Sequence, residues 1–339
     1  MESRVVKLEH GNSPVKVTTS NEKQYTFDFV VGADGLKSTV RAILFPESKP
    51  RAATNNAAYR AVLPYKEVFE KVPDARRIFG NTIDVWQGGD SYCITYPMTA
   101  GEDLNFVLSH HTKEIQHVPI EADMAELRSM FGDYEQVVQD VIALIPQSQR
   151  WPLLMVDPLP TWSNASKNVV LMGDAAHGMV NHMAQGAATS MEDGIFLGRT
   201  MSDVVRGVIS LEEAVHIYEK QRMPRSWTKQ QASFTFGEIN FTPEIGALRS
   251  RASAPEFSAS NVTNYQGPPP QYRSWNLWGH AESSAGVYGY DAESDADNAV
   301  CQYLQEQGQV NENTKVAERL RGKWMAWTSI EAKAVQEHT

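Results

Sequence analysis

The run Val169-Val170-Leu171-Met172-Gly173-Asp174-Ala175-Ala176-His177, followed by Ala184-Gln185-Gly186-Ala187 and Glu192-Asp193, holds the residues best suited to chemistry. An apolar strand leads into a tight turn ending in an acid, and small residues then open a helix. With no bulky side chain at the turn, a large ligand can lie directly against backbone. Asp174, at the strand's C-terminal end, can accept hydrogen bonds from sugar-like hydroxyls. The helix beginning near Gln185 points its amide end, and hence partial positive charge, at whatever binds there. That field suits an electron-rich ring that becomes anionic on reduction. Other chemistries lack their residues: there is no G-x-S-x-G, H-E-x-x-H, C-x-x-C or G-x-x-x-x-G-K. Asp291, Glu293, Asp295 and Asp297 alternate as calcium-loop acids do, but Ala296 replaces the required glycine and no metal site is expected. They read instead as acids at a helix N-terminus.

The elements that must position these residues follow from periodicity. Residues 4 to 32 alternate as strands, with Val15, Val17 and Thr19, then Tyr25, Phe27, Phe29 and Val31, between turn clusters. The last strand delivers Asp34-Gly35 to a loop, and Ser38 to Leu44 predicts a short helix. Residues 46 to 118 are β-rich, with strands over 56–63, 84–87, 92–98 and 104–109 and a hairpin turn at Gly88-Gly89-Asp90. Apolar spacing predicts helix within 121–144, over about 186–206 and over 211–229. From about residue 246 the composition changes. Gly267-Pro268-Pro269-Pro270 forbids regular structure, yet Trp275, Trp278, Tyr288 and Tyr290 argue for packing on the body or on a second subunit. Helices are expected near 295–308 and 313–334.

Bulk properties exclude several classes. The chain has 339 residues, 42% hydrophobic and 21% charged, ample for a real core. A formal charge of −10 with no basic stripe argues against nucleic acid as a partner. Cys93 and Cys301 share no disulfide-framework or metal spacing. No stretch reaches the roughly 18 apolar residues of a membrane span, and the simplest compartment is cytoplasmic.

The run from Val169 to Asp193 closely resembles the second flavin motif of the single-component FAD-dependent aromatic monooxygenases, the salicylate- and hydroxybenzoate-hydroxylase-like group. Asp28-Phe29-Val30-Val31-Gly32-Ala33-Asp34-Gly35 with Ser38 and Val40-Arg41 is similar to the family's middle motif, whose Asp-Gly pair serves FAD and the nicotinamide donor. Tyr59-Arg60-Ala61, Asp84-Val85-Trp86, Tyr96-Pro97 and Asn105-Phe106-Val107 are similar to its substrate domain, and Trp151-Pro152-Leu153 and Trp162-Ser163 precede the second motif as expected. The resemblance covers residues 5 to 245 and implies an α/β fold: an incomplete FAD-binding, glutathione-reductase-like Rossmann domain over 1–45 and 150–245. Interleaved with it is a β-sheet substrate domain over 46–149, and a helical C-terminal extension spans 246–339. The family's opening G-x-G-x-x-G βαβ unit has no counterpart, since the sequence contains no Gly-x-Gly. The expectation is therefore an N-terminally truncated chain that binds FAD poorly or not at all by itself.

The resemblance assigns the cofactor side to Asp34, Gly35, Arg41, Gly173, Asp174, Ala176, His177, Gln185, Gly186 and Ala187, and substrate contact to Arg60 and Tyr96. It implies NAD(P)H as donor, O2 as co-substrate, a flavin hydroperoxide, and hydroxylation of a small phenolic or carboxylated aromatic. The alternative from another class is a catalytically inactive remnant serving as a packing module. Residue by residue, plainer readings stand beside these. Asp174 could simply cap a helix and Asp34 could simply shape a turn. Arg41 could be solvated, or could hold the loop through a carboxylate. His177 is read as supporting the turn rather than as a general base. Arg60 could be an edge-strand surface residue, and Tyr92 and Tyr96 core aromatics. His110-His111 reads as a solvated strand end. At Asn181-His182-Met183 the family usually has proline at the first position, so this chain gains amide donors there.

Overall fold

The computed structural model describes residues 3–11, 14–112, 117–240 and 286–308. Three short strands, β1 (Val5–Glu9), β2 (Val15–Thr19) and β3 (Gln24–Phe27), form an antiparallel meander. In β2 the alternation is literal: Val15, Val17 and Thr19 are buried while Lys16 is exposed. The alternation from Tyr25 to Val31 does not make one strand. It breaks at Asp28-Phe29, and β4 (Val30–Gly32) leaves the meander to join a different sheet. All of β3 is exposed, and Tyr25 stacks on Phe27.

β4 pairs in parallel with β11 (Val169–Leu171), 139 residues downstream in register, Val30 opposite Val169 and Gly32 opposite Leu171. Parallel neighbours need a long crossover, and here the crossover carries the larger sheet. After α1 (Thr39–Leu44) comes a six-stranded antiparallel sheet of order β6-β7-β8-β5-β10-β9. Its members are β5 (Arg51–Pro64), β6 (Asp84–Gln87), β7 (Ser91–Met98), β8 (Asp103–His111), β9 (Ile120–Glu121) and β10 (Gln149–Met155). The Gly88–Asp90 turn joins β6 to β7 as expected, with the Gly88 amide donating to the Ser91 carbonyl.

One face of this sheet is covered by α2 (Tyr65–Lys71), α3 (Met124–Met130) and α4 (Gln136–Ala143), which with Tyr59, Leu63, Phe106 and Leu108 build one apolar core. The helix α2 lies within the stretch read as β-rich. Residues 121–144 form two helices, because Gly132-Asp133 interrupts the apolar run. His110, read as a solvated strand end, is instead buried in this layer, its Nε2 2.9 Å from the Tyr59 hydroxyl.

A second core gathers β2, β4 and β11 against α6 (Gly186–Val205), α7 (Leu211–Asn240) and α8 (Ala292–Glu306), where Val170, Leu171, Phe196, Val215 and Tyr218 are fully enclosed. The helix α7 runs eleven residues beyond the expected end, through Pro224, which contributes no amide donor. Asp291 caps α8 through the Glu293 and Ser294 amides, the role read for that acidic run. The Pro-rich segment 267–270, Trp275, Trp278 and the helix expected over 313–334 lie outside the described residues. Among the described residues no helix is long and apolar enough to cross a membrane.

Candidate functional site

The parallel pairing of β4 and β11 makes their C-terminal ends neighbours. The Met172 amide donates to the Gly32 carbonyl at 3.1 Å, so both chains turn away from the sheet side by side. Between β11 and α6 lies α5 (Asp174–His177), a single turn. The buried Arg41 of α1 ties the two corners together. Its Nη2 donates to the Leu36 carbonyl on the first corner, and its Nη1 donates to the carbonyls of Ala175 at 2.9 Å and Asp174 at 3.4 Å on the second. Burial draws its pKa down and the nearby Asp34 charge opposes that shift. Arg41 is therefore neither solvated nor bonded to a carboxylate; it holds the loop through carbonyls.

Asp34 caps α1: its carboxylate accepts from the Ser38 hydroxyl, from the Thr39 amide at 2.7 Å and from the Val40 amide at 3.2 Å. Gly35 beside it has φ +81° and open space around it. At the second corner Gly173 has φ +62°, and a Cβ there would lie 2.8 Å from the Ser190 hydroxyl. Only glycine satisfies both the dihedral and the approach of α6. Asp174 is exposed, and its carboxylate has no hydrogen-bond or ion-pair partner among the described residues. Its Oδ1 lies 3.9 Å from the position a Cβ on Gly186 would take. Gly186 and exposed Ala187 begin a 20-residue helix that carries no side-chain cap, after the buried Gln185. A free carboxylate beside uncapped amides is a paired acceptor and donor set, fit for polyol hydroxyls on one side and a developing anion on the other.

Ala176 and His177 are buried behind this corner. His177 donates from Nε2 to Asp193 at 2.5 Å, and the same carboxylate accepts the Gly173 amide at 3.1 Å and Arg222 Nε at 2.9 Å. Asp193 thus fixes the glycine turn and the imidazole together. Glu192, next to it, receives Arg222, Arg225 and Lys229 from α7. Burial alone would raise the Glu192 pKa, but these three cations bring it down to about 2. Asp193 was quoted from sequence as part of the motif but given no role, and Arg222 was not singled out. The available signal was their placement: Glu192-Asp193 sits in the small and apolar first half of its helix, and Arg222, Arg225 and Lys229 recur at i, i+3 and i+7.

Arg60 and Tyr96 lie on the other face of the six-stranded sheet, on strands either side of Asn105. Tyr96 is the cross-strand partner of Asn105, and Arg60 Nε donates to Asn105 Oδ1 at 2.7 Å. Arg60 is exposed, with Nη2 3.5 Å from the Met98 sulfur. This face continues to the corners: Ala58 packs with Leu153 and Val180, and the Tyr92 hydroxyl lies 2.8 Å from His182 Nδ1. Val180 and His182 belong to the loop between α5 and α6. Burial raises the Tyr92 phenol well above its ordinary range and brings His182 down to about 4. Asn181 is exposed, while the histidine after it is taken inward as a link between sheet and loop. Asn105, the residue that orients Arg60, was quoted from sequence only within a strand similar to the family's substrate domain, with no role of its own.

Residues 159–233 match the family model described as an FAD binding domain. The chain is 27% identical over 281 residues to the FAD-dependent monooxygenase OpS4 of Beauveria bassiana, covering 80% of this chain and 62% of that protein. It is 34% identical over 209 residues to 6-hydroxynicotinate 3-monooxygenase of Pseudomonas fluorescens, covering 61% and 52%. To salicylate hydroxylase of Pseudomonas putida it is 29% identical over 252 residues, covering 70% and 57%. The chain therefore spans less than two thirds of the length of these curated relatives. Among solved structures, a salicylate hydroxylase substrate complex superimposes with TM-score 0.67 at 21% identity, over 88% of this chain and 70% of that one. CtdE in complex with FAD and substrate gives TM-score 0.71 at 16% identity, over 90% and 70%.

Proposed function

The chain belongs to the FAD-dependent aromatic monooxygenase family, and from that premise we propose that it holds FAD at the joined Asp34 and Asp174 corners and hydroxylates a small aromatic beside Arg60 and Tyr96. The observation that carries the reading is the parallel register of β4 with β11, locked by Arg41, which sets a free carboxylate and an uncapped helix N-terminus at one place. These groups fit the ribityl and ring side of the cofactor. When bound, FAD reduced by NAD(P)H would supply the electrons that activate O2, the source of the transferred oxygen.

The remaining work falls to this chain's own side chains. Asp174 would accept hydrogen bonds from ribityl hydroxyls, and the first amides of α6 would favour negative charge on the ring. Gly173 keeps the turn flat enough for the ring to approach. Arg60, its Nε already held by Asn105, presents its terminal nitrogens to a substrate carboxylate or phenolate. Tyr96 lies one strand over from Arg60's partner and orients a ring hydroxyl. The sheet face and the 178–183 loop keep water from the reacting ring through Ala58, Leu153 and Val180.

The test is direct. The purified protein, supplied with FAD, is expected to take up flavin absorbance and to oxidise NADH or NADPH faster when a phenolic or carboxylated aromatic is added. Protein that neither gains flavin nor consumes the donor in response to any such aromatic would overturn this function.

A further inference from the structure

Tyr290, read from sequence as a packing aromatic, stands two residues ahead of α8 and meets two arginines of α7 at once. The guanidinium carbon of Arg225 lies 3.6 Å from its ring centroid, and that of Arg222 lies 5.2 Å from it. Its hydroxyl accepts from Arg222 Nη1 at 2.9 Å and donates to Asp295 at 2.6 Å. Burial raises this phenol above its ordinary range, so the oxygen keeps the proton it donates.

Arg222 is fully buried and spends each part of its fork on a different partner. Nη1 goes to Tyr290, Nη2 to Glu192 at 2.8 Å, and Nε to Asp193 at 2.9 Å. Asp193 in turn accepts the Gly173 amide and His177 Nε2. An unbroken line of bonds therefore runs from Asp295 and Tyr290, through Arg222 and Asp193, to the glycine turn. A planar guanidinium gripped on three sides is held in one orientation. Released at Nη1, it can turn toward Glu192 and away from Asp193.

The helix α8 is docked by other contacts. Ala296, Ala299, Val300 and Leu304 pack into the second core, Arg199 grips Asp297 at 2.6 and 3.0 Å, and Tyr303 donates to Glu213 at 3.1 Å. The bonds of the Tyr290 hydroxyl lead instead toward the cofactor corner. We propose that Tyr290 is a positioning residue, which fixes the Gly173 turn and His177 through Arg222 and Asp193 and thereby sets the affinity of the corner for FAD. What the corner holds rests on the function proposed above; the line of bonds does not.

The full chain, labelled with 15N-histidine, reports on this line through the His177 Nε2–H resonance, assigned by its loss in His177→Gln. Titration of flavin fluorescence gives the FAD dissociation constant. Tyr290→Phe keeps the ring against Arg225 and removes the hydroxyl. The His177 resonance should shift, and FAD should bind about fivefold more weakly. Tyr303→Phe deletes a hydroxyl from the same helix, one bonded to neither Arg222 nor Asp193, and should leave resonance and affinity at the parent values. If Y290F does not fold, Asp295→Ala, which takes the acceptor from the hydroxyl, should move both readouts in the same direction. An unmoved His177 resonance, an FAD affinity equal to the parent's, or equal effects from Y303F would overturn the inference. A parent chain that takes up no FAD would sink the proposed function instead, and the resonance would still decide whether Tyr290 positions His177.

Discussion

The guanidinium of Arg41, on the first helix, donates to the carbonyl of Ala175 at 2.9 Å, across 134 residues of sequence. With its second bond, to the Asp174 carbonyl at 3.4 Å, Arg41 makes the side-chain hydrogen bonds found between the Asp34 corner and the Asp174 corner among the described residues. Two loops distant in sequence become one ligand edge through this buried cation.

Replacing Arg41 with Met keeps most of the volume and removes every donor. Several carbonyls then lose a charge-assisted bond in a buried place, a cost of about 3 kcal/mol. We expect a lower urea midpoint and a smaller FAD-induced rise in melting temperature than the parent protein shows. A variant as stable as the parent would mean that the strand pairing alone positions the corners.

Gly173→Ala is expected to be more damaging than a Gly→Ala change in a loop. The new methyl meets Ser190 Oγ at 2.8 Å, and the φ of +62° is itself unfavourable for alanine. Steric and dihedral costs separate in the double variant Gly173→Ala/Ser190→Gly. It should recover part of an expected loss of about 2–3 kcal/mol, the remainder being the backbone term. Thermal unfolding of the three proteins measures both.

Arg60→Lys preserves charge but loses the planar fork and the Asn105 anchor. For a carboxylated substrate we expect KM to rise about tenfold with little change in melting temperature, because Arg60 is exposed. Asn105→Leu should produce a similar KM effect through Arg60, with Arg60 itself unchanged. Steady-state kinetics with matched carboxylated and uncharged aromatics would show whether the loss is confined to the carboxylated one.

Much of this site was legible in the sequence because its features are local. A strand ending in Gly-Asp, small residues and an unobstructed helix start announce themselves within 20 residues. So did the β6–β7 hairpin, fixed by its own turn glycines. What escaped was non-local. Nothing near Asp193 says that Arg222 will meet it, since the pairing depends on α7 packing across α6. His110 looked solvated because period-two alternation places it but cannot tell which sheet face a helical layer will cover. The continuous alternation from Tyr25 to Val31 hid a change of sheet at Asp28, where the pattern is unbroken but the pairing partner changes.

The His182–Tyr92 contact gives the fold a measurable acid sensitivity. His182 is buried, and its pKa falls from 6.5 to about 4 because the enclosed site disfavours the imidazolium. The Tyr92 hydroxyl 2.8 Å from Nδ1 suits the neutral ring, as a donor to it. Between pH 6.5 and 4 the unfolded chain therefore binds a proton that the native histidine refuses. The unfolded state carries more protons there, so stability rises with pH through this window and falls as pH drops through it. Full loss is reached once native His182 also protonates, near pH 4, and amounts to about 3 kcal/mol. In His182→Gln the side chain cannot titrate, and this slope should vanish even if the variant is less stable at every pH. Urea unfolding from pH 7 to 4.5 for both proteins isolates the difference from all other titrating groups. Parallel curves would show that His182 is not held neutral by its burial between the sheet and the loop.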